Sequence, residues 1–345
     1  MSRLYDIVDY LEKEKVSQVI IDAFIKTQAM YNEYGVCNVS ISGGADSDIM
    51  LDICTNLDTE HNMFRYYFIN TGMEYEATRR HIKELEVKYD ITIEQVRPQV
   101  SCKVICSTYG MPFISKQVSE YIGKLQAAGF QWTNDEKELK KLLKGAYDWW
   151  SKEPADIHKP PYISVYRNRY LKEFLMEYNP KIKISDKCCH FLKKKTSIEI
   201  YKQNKGVRFV GVRRAEGGAR AKTGACFTNR GHGAEPMFRP LFWFAQNEIA
   251  QYKEIFGVTN SECYTKYGML RTGCAGCPFS PSAEEELERV KPYEPGMYKL
   301  AHALFQDSYD YTRQYRQFVA EYPKMEAFKY LVRHPLLGNK NATHK

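Results

Sequence analysis

The segment from residue 36 to 57 constrains this chain more than any other. Val36-Cys37-Asn38-Val39-Ser40-Ile41-Ser42 is a short β-branched run, it breaks at Gly43-Gly44, and Ile49, Met50, Ile53 and Leu57 then recur at helical spacing. That pattern is a buried strand, a tight turn and a helix. The rhythm returns downstream: a strand pattern at 64–70, Thr71-Gly72 and a helix around 74–89, then further strand patterns at 91–96 and 208–214. Strands alternating with helices pair in parallel through right-handed crossovers. The expected fold is therefore α/β, with a doubly wound, mostly parallel sheet.

Around this centre the sequence predicts three regions. Residues 1–34 read as helical, with Val16, Val19, Ile20, Phe24 and Ile25 on one apolar face. Residues 35–280 read as the α/β domain, interrupted near 130–165 by a helical, aromatic insertion carrying Trp132, Trp149 and Trp150. Residues 281–345 read as a helical C-terminal region rich in Tyr and Arg. No apolar run approaches the length of a membrane span, and the opening MSRLYDIVDYLEKEK lacks a signal peptide's apolar stretch. These features predict a cytoplasmic protein with no membrane partner. The net charge of +8, from 50 basic against 42 acidic residues, suits a polyanionic ligand without naming one.

The chemical centre is Ser42-Gly43-Gly44-Ala45-Asp46-Ser47, between strand and helix. Glycines remove the Cβ atoms that keep backbone N–H groups from a phosphate, and the following helix adds free amides and a positive dipole end. Ser42 and Ser47 are candidate hydroxyl donors to the same anion. Asp46 repels phosphate by charge, so it is assigned to Mg²⁺ or to bracing the loop. The string lacks the G-x-x-x-x-G-K-[ST] pattern of the common NTPase loop.

This string resembles the pyrophosphate loop of the adenine-nucleotide α-hydrolase-like superfamily, with Ala45 where lysine is frequent. Asn70-Thr71-Gly72-Met73-Glu74 with Thr78 resembles that group's D-T-G-x-E segment, with Asn for Asp. GVRRAEGGARA at 211–221 resembles its arginine motif, with Arg213, Glu216 and Arg220 in place and Gly217 where serine is usual. FRPLFWFAQNEI at 238–249 resembles its tryptophan segment. The resemblance is to the phosphoadenosine-phosphosulfate (PAPS) reductase family and covers roughly residues 36–280. It implies a Rossmann-like fold and phosphate binding by Ser42 through Ser47, Thr71, Gly72, Arg213, Glu216 and Arg220. ATP or another adenine nucleotide with Mg²⁺ is the implied ligand, and Asp46, Arg213, Arg220 and Lys193 are the implied catalytic groups.

Ten cysteines without an export signal are better read as metal ligands or redox groups than as a disulfide framework. Cys188 and Cys189 are adjacent, and Cys274 and Cys277 form a CxxC. Thiolates suit iron–sulfur clusters and zinc alike. The combination resembles the CC…CxxC signature of adenylylsulfate reductases, which implies a [4Fe–4S] cluster on Cys188, Cys189, Cys274 and Cys277, with Lys193 beside it. Cys37 and Cys54 read as core residues. Cys102, Cys106, Cys226 and Cys263 carry no assignment, although Cys226 and Cys263 are candidate redox or sulfur-carrying thiols.

One departure separates the functions. Reductases of this family attack sulfur with a cysteine on a C-terminal tail, and no cysteine here follows Cys277. The leading expectation is ATP-dependent adenylation, releasing pyrophosphate, coupled to sulfur transfer. The sulfur donor and acceptor are unknown, a nucleic acid being one candidate acceptor, and a homodimer is compatible with the sequence. The alternatives are a sulfonucleotide reductase using another thiol, or a nucleotide- or nucleic-acid-binding protein with a structural or redox-sensing cluster. In the last, the tryptophans of the insertion would stack on bases.

Overall fold

The computed structural model describes residues 3–156, 159–217, 224–229, 231 and 235–333. Two helices open the chain, α1 (Arg3–Lys13) and α2 (Gln18–Tyr34). Gly35, at φ +67°, ends α2 and returns its N–H to the Tyr31 carbonyl, the left-handed cap that glycine accepts without strain. There follow β1 (Cys37–Ile41), α3 (Ala45–Leu57), β2 (Phe64–Ile69), α4 (Glu76–Tyr89), β3 (Ile93–Val96) and α5 (Cys102–Tyr109). After a helical stretch come β4 (Val207–Val210), β5 (Phe227–Thr228) and β6 (Met237–Phe238).

The sheet has six strands in the order β3-β2-β1-β4-β6-β5. All neighbours are parallel except β5, which runs antiparallel on the edge. The chain winds from β1 outward through β2 and β3, then returns to pair β4 on the opposite side of β1. This is a doubly wound α/β sheet, as the alternation of patterns predicts. The order reverses between β1 and β4, and ligands of open α/β sheets bind outside the strand ends at such a point.

β1 shows why the centre holds. Val39 lies opposite Tyr66 of β2 and Phe209 of β4. All three are buried, in one core with Ile20 and Phe24 of α2 and Ile49, Ile53 and Leu57 of α3. Each fully buried side chain of this size contributes about 1.5–3 kcal/mol of transfer free energy. Cys37 and Cys54 have no exposed surface, and burial pushes the Cys37 thiol up to about 12. Both are neutral core residues, in agreement with the sequence reading.

The chain divides into two compact units. One holds the sheet and runs through residue 102, with 189–275 and 285–300. The other comprises 103–188, 276–284 and the chain from 301. Its core is aromatic: Trp149 and Trp150 are fully buried, Tyr121 stacks on Trp149 at 5.3 Å, and Phe174 meets Tyr311 at 5.1 Å. Trp150 Nε1 donates to the Thr133 carbonyl at 3.0 Å. These tryptophans pack inside, so the expectation that they stack on bases does not hold. Among the described residues no helix is long and apolar enough to cross a membrane.

Trp149→Ala should cost the second unit about 3–5 kcal/mol, read as a lower denaturant midpoint. A variant with an unchanged midpoint would contradict this packing.

Candidate phosphate cradle and thiol group

After β1 the chain must turn sharply into α3. Gly43 does so at φ +66°, where an added Cβ would lie 2.8 Å from Thr78 Cγ2. Only glycine lets the loop lie against α4. Ser47, in the first turn of α3, ties the loop together. Its Oγ accepts from the Gly44 amide at 3.1 Å and donates to the Gly44 carbonyl at 2.8 Å. Ser42 Oγ donates to Ser47 Oγ at 3.1 Å. In this structure Ser47 therefore braces the loop, and its side chain is buried.

The end of β4 closes the other side. Gly211 sits so near the loop that a Cβ would lie 2.9 Å from Ser47 N and 3.0 Å from the Asp46 carbonyl oxygen. Arg213 then donates from Nε to Asp46 Oδ2 at 2.9 Å. Each of the two side chains is 17% exposed, so the pair is only partly screened by solvent. Glu216 Oε2 accepts from the Arg213 amide at 3.1 Å, so it caps the turn that carries Arg213. Arg220 lies outside the described residues.

Further groups converge here. The Tyr264 hydroxyl accepts from the amides of Ala45, at 3.1 Å, and Thr272, at 3.3 Å. Burial raises the Tyr264 phenol above its usual value, so it stays neutral. Lys253, half-buried on the helix Gln246–Phe256, interacts electrostatically with Asp48, Asp46 and Arg213. Burial holds its ammonium below the usual lysine range, against the pull of the two carboxylates. Behind the loop, Asp48 Oδ2 meets His81 Nε2 at 2.9 Å, both side chains buried. Burial pushes the Asp48 carboxyl up. Burial also opposes charge on His81, but the hydrogen bond and charge of Asp48 outweigh it and raise the imidazole. The pair holds a proton where α3 and α4 meet.

The segment after β2 connects the loop region to the CxxC. Thr71 donates from N and Oγ1 to the buried Glu74 carboxylate at 2.9 and 2.7 Å. Thr71 Oγ1 also lies 3.8 Å from Cys274 Sγ. Ala275 N donates to the Met73 carbonyl at 2.6 Å, and Gly72 takes φ +81° to make the turn.

Cys102, Cys106 and Cys188 are buried, and their sulfurs lie within 4.8 Å of one another. Among the described residues this is the group of three or more Cys, His, Asp or Glu side chains so placed. Cys102 and Cys106 stand one helical turn apart on α5, which brings both thiols to one face. Cys188 precedes a π-helical turn, His190–Lys195; such turns are rare and frequent at functional sites. Lys193 is exposed on that turn. Cys189, Cys274 and Cys277 are half-buried. Of the four cysteines that the resemblance implied as ligands, this group contains Cys188.

The phosphoadenosine phosphosulfate reductase domain matches residues 36–129, from β1 through α6 (Lys116–Ala127). Solved structures similar to this chain include phosphoadenylyl-sulfate reductase from Candida auris in a phosphate complex. It is 12% identical over 77% of this chain and 93% of that one, with a TM-score of 0.42. The ammonia-dependent NAD synthetase of Campylobacter jejuni is 11% identical over 85% and 95%, at 0.35. The U34-tRNA thiolase of Methanococcus maripaludis, with its [4Fe-4S] cluster, is 12% identical over 86% and 79%, at 0.32. No curated protein matches the chain.

The sequence reading missed Tyr264, Lys253, Cys102 and Cys106 as candidate site residues. Nothing local marks Tyr264 or Lys253, which reach the loop through the fold. The Cys-x-x-x-Cys spacing of 102 and 106 was a usable signal, since it places two thiols on one helical face.

Gly211→Ala should force the loop and β4 apart. We expect a stability loss of about 1–3 kcal/mol and loss of pyrophosphate binding measured by calorimetry. Wild-type affinity in the variant would show that the close approach is dispensable.

Proposed function

We propose that this chain binds ATP in the cradle between the β1 loop and the end of β4, adenylates an acceptor and delivers sulfur to it. The observation that carries the reading is the approach of Gly211 and Arg213 to Asp46 and Ser47 at the topological switch of the sheet. The loop amides, Arg213 and Lys253 supply positive charge there. Lys253 provides the ammonium that Ala45 does not. Asp46, once phosphates replace it on Arg213, would hold Mg²⁺.

In the first step an acceptor oxygen attacks the α-phosphorus of ATP. The bond to the bridging oxygen breaks, and pyrophosphate leaves with the electron pair. In the second a hydrosulfide-type nucleophile attacks the activated carbon, the carbon–oxygen bond breaks and AMP leaves. No electrons are exchanged. The protein's contribution is positioning and charge neutralisation.

Three clustered thiols fit a thiolate-bound metal centre. Cys102, Cys106 and Cys188 would hold it. Cys277, in the same compact unit as Cys106 and Cys188, is our assignment for the fourth ligand of a [4Fe–4S] cluster. Such a centre would supply a sulfide-binding or redox-active metal. The compact spacing also favours a second reading, a single tetrahedral zinc ion, whose thiolates stand roughly 3.8 Å apart at a Zn–S distance of about 2.3 Å.

Anaerobically purified protein should carry about four iron per chain, and zinc without iron would establish the second reading. Cys106→Ser should lose the metal and Cys189→Ser retain it; the reverse would favour the CC…CxxC set. Incubated with ATP and an acceptor, the protein should release AMP and pyrophosphate. Asp46→Ala should slow that by roughly 10²-fold or more, and unchanged turnover would remove the loop from the chemistry.

A further inference from the structure

A second charged cavity lies outside the carboxyl ends of β2 and β3. It encloses about 970 Å³, at the upper end of the roughly 300–1,000 Å³ typical of ligand pockets. All its lining residues fall within 70–101, so one compact unit builds it alone. Its chemistry is one-sided. Arg79, Arg80 and Lys83 come from α4, Arg97 follows β3, and Glu76 is the acidic residue of the lining.

Arg79 and Arg80 are partly neutralised. Arg79 reaches Glu76 at 3.4 Å, and Arg80 pairs with Glu262. Among the described residues Lys83 and Arg97 have no ion-pair partner, and both are exposed. Lys83 lies one turn beyond Arg79 and Arg80, so the three share a face of α4. Arg97 brings a guanidinium from a separate element toward the same space. A bland solvated helix face explains the α4 residues; it does not explain why the turn after β3 adds a fourth cation to the same open cleft. Cations from two elements around one cavity are an arrangement that holds phosphate groups, with guanidinium forks suited to paired oxygens.

The position adds meaning. Thr71 lines this cleft, and its hydroxyl is the one 3.8 Å from Cys274 Sγ. The cavity therefore opens beside the segment that joins the nucleotide loop to the CxxC. Val100, 38% exposed, also lines it, offering an apolar surface to a ribose or base.

We propose that this cleft binds the phosphate groups of a second substrate, the sulfur acceptor, separate from the ATP in the cradle. The role as acceptor site rests on the adenylation reading; the phosphate site itself does not. The ligand is a phosphate ester, carried either by a nucleic-acid strand or by a free nucleotide.

The test uses the full chain and two probes: a short single-stranded oligonucleotide followed by fluorescence anisotropy, and a nucleoside 3′,5′-bisphosphate followed by calorimetry. At least one should bind, and the Lys83→Ala/Arg97→Ala double variant should weaken it several-fold. For the oligonucleotide, loss of two phosphate contacts should lower the log–log salt slope by about 1.4. Arg97→Lys should restore part of the affinity, which a merely structural role would not do. Oligonucleotide binding identifies a strand as the ligand, and bisphosphate binding alone identifies a free nucleotide. Equal affinity for both probes in wild type and double variant would overturn the inference. So would an ATP affinity that falls by the same factor, because the cleft would then be a lobe of the cradle. If ATP is never turned over but the double variant still loses probe binding, the adenylation reading fails and the phosphate cleft stands.

Discussion

The structure turns on the approach of two strand ends that are far apart in sequence. β1 delivers a loop whose amides must be held open, and β4 delivers Gly211 against the backbone of that loop with no room for a methyl group. The approach is possible because β1 and β4 are parallel neighbours, so both carboxyl ends arrive on one edge of the sheet. Arg213 and Asp46 then form a charged pair at 2.9 Å across the junction. A partly buried pair of this kind holds only while both partners are present, since either charge alone would be stranded. Phosphate and Mg²⁺ offer each partner a replacement, phosphate for Asp46 and the metal for Arg213. The pair is thus a resting contact that the proposed substrate would exchange.

The surroundings of the loop are arranged to keep it from collapsing. Ser47 spends its hydroxyl on Gly44. Tyr264 takes the Ala45 amide, a neutral acceptor in the kind of place an anionic oxygen would occupy. The α4 amides of Glu76 and Ala77 are capped by the buried Glu294 carboxylate at 2.8 and 2.9 Å. That carboxylate cap fills the first turn of α4, whereas the α3 terminus meets the neutral hydroxyls of Ser47 and Tyr264. Asp48 and His81 fix the two helices to each other, which sets the height of Thr78 beneath Gly43.

Much of this was legible in the sequence, for a physical reason. β1 is buried on both faces and β2 largely so, so their β-branched and aromatic runs stand out, and the glycines that turn them sit in place. Arg213 was legible because its motif is short and local. Lys253 and Tyr264 were not, because their importance comes from distant packing and from no pattern of their own. The tryptophans left two readings open, a packed core or a surface for bases, and the zero exposure of Trp149 and Trp150 decides for the core. Cys188 was grouped with Cys189, Cys274 and Cys277, whereas its sulfur lies with those of Cys102 and Cys106, more than eighty residues upstream and left unassigned. The two cysteines open the helix α5 that follows β3, and nothing near Cys188 announces them.

The central claim is that the amides of residues 43–47 are the phosphate donors. Hydrogen exchange of the protein with and without Mg²⁺–pyrophosphate tests it most directly. Protection should appear at Gly44 to Ser47 and at Gly211 to Arg213, with little change in the second unit. Pyrophosphate binding that leaves these amides exchanging at their unliganded rate would contradict the account.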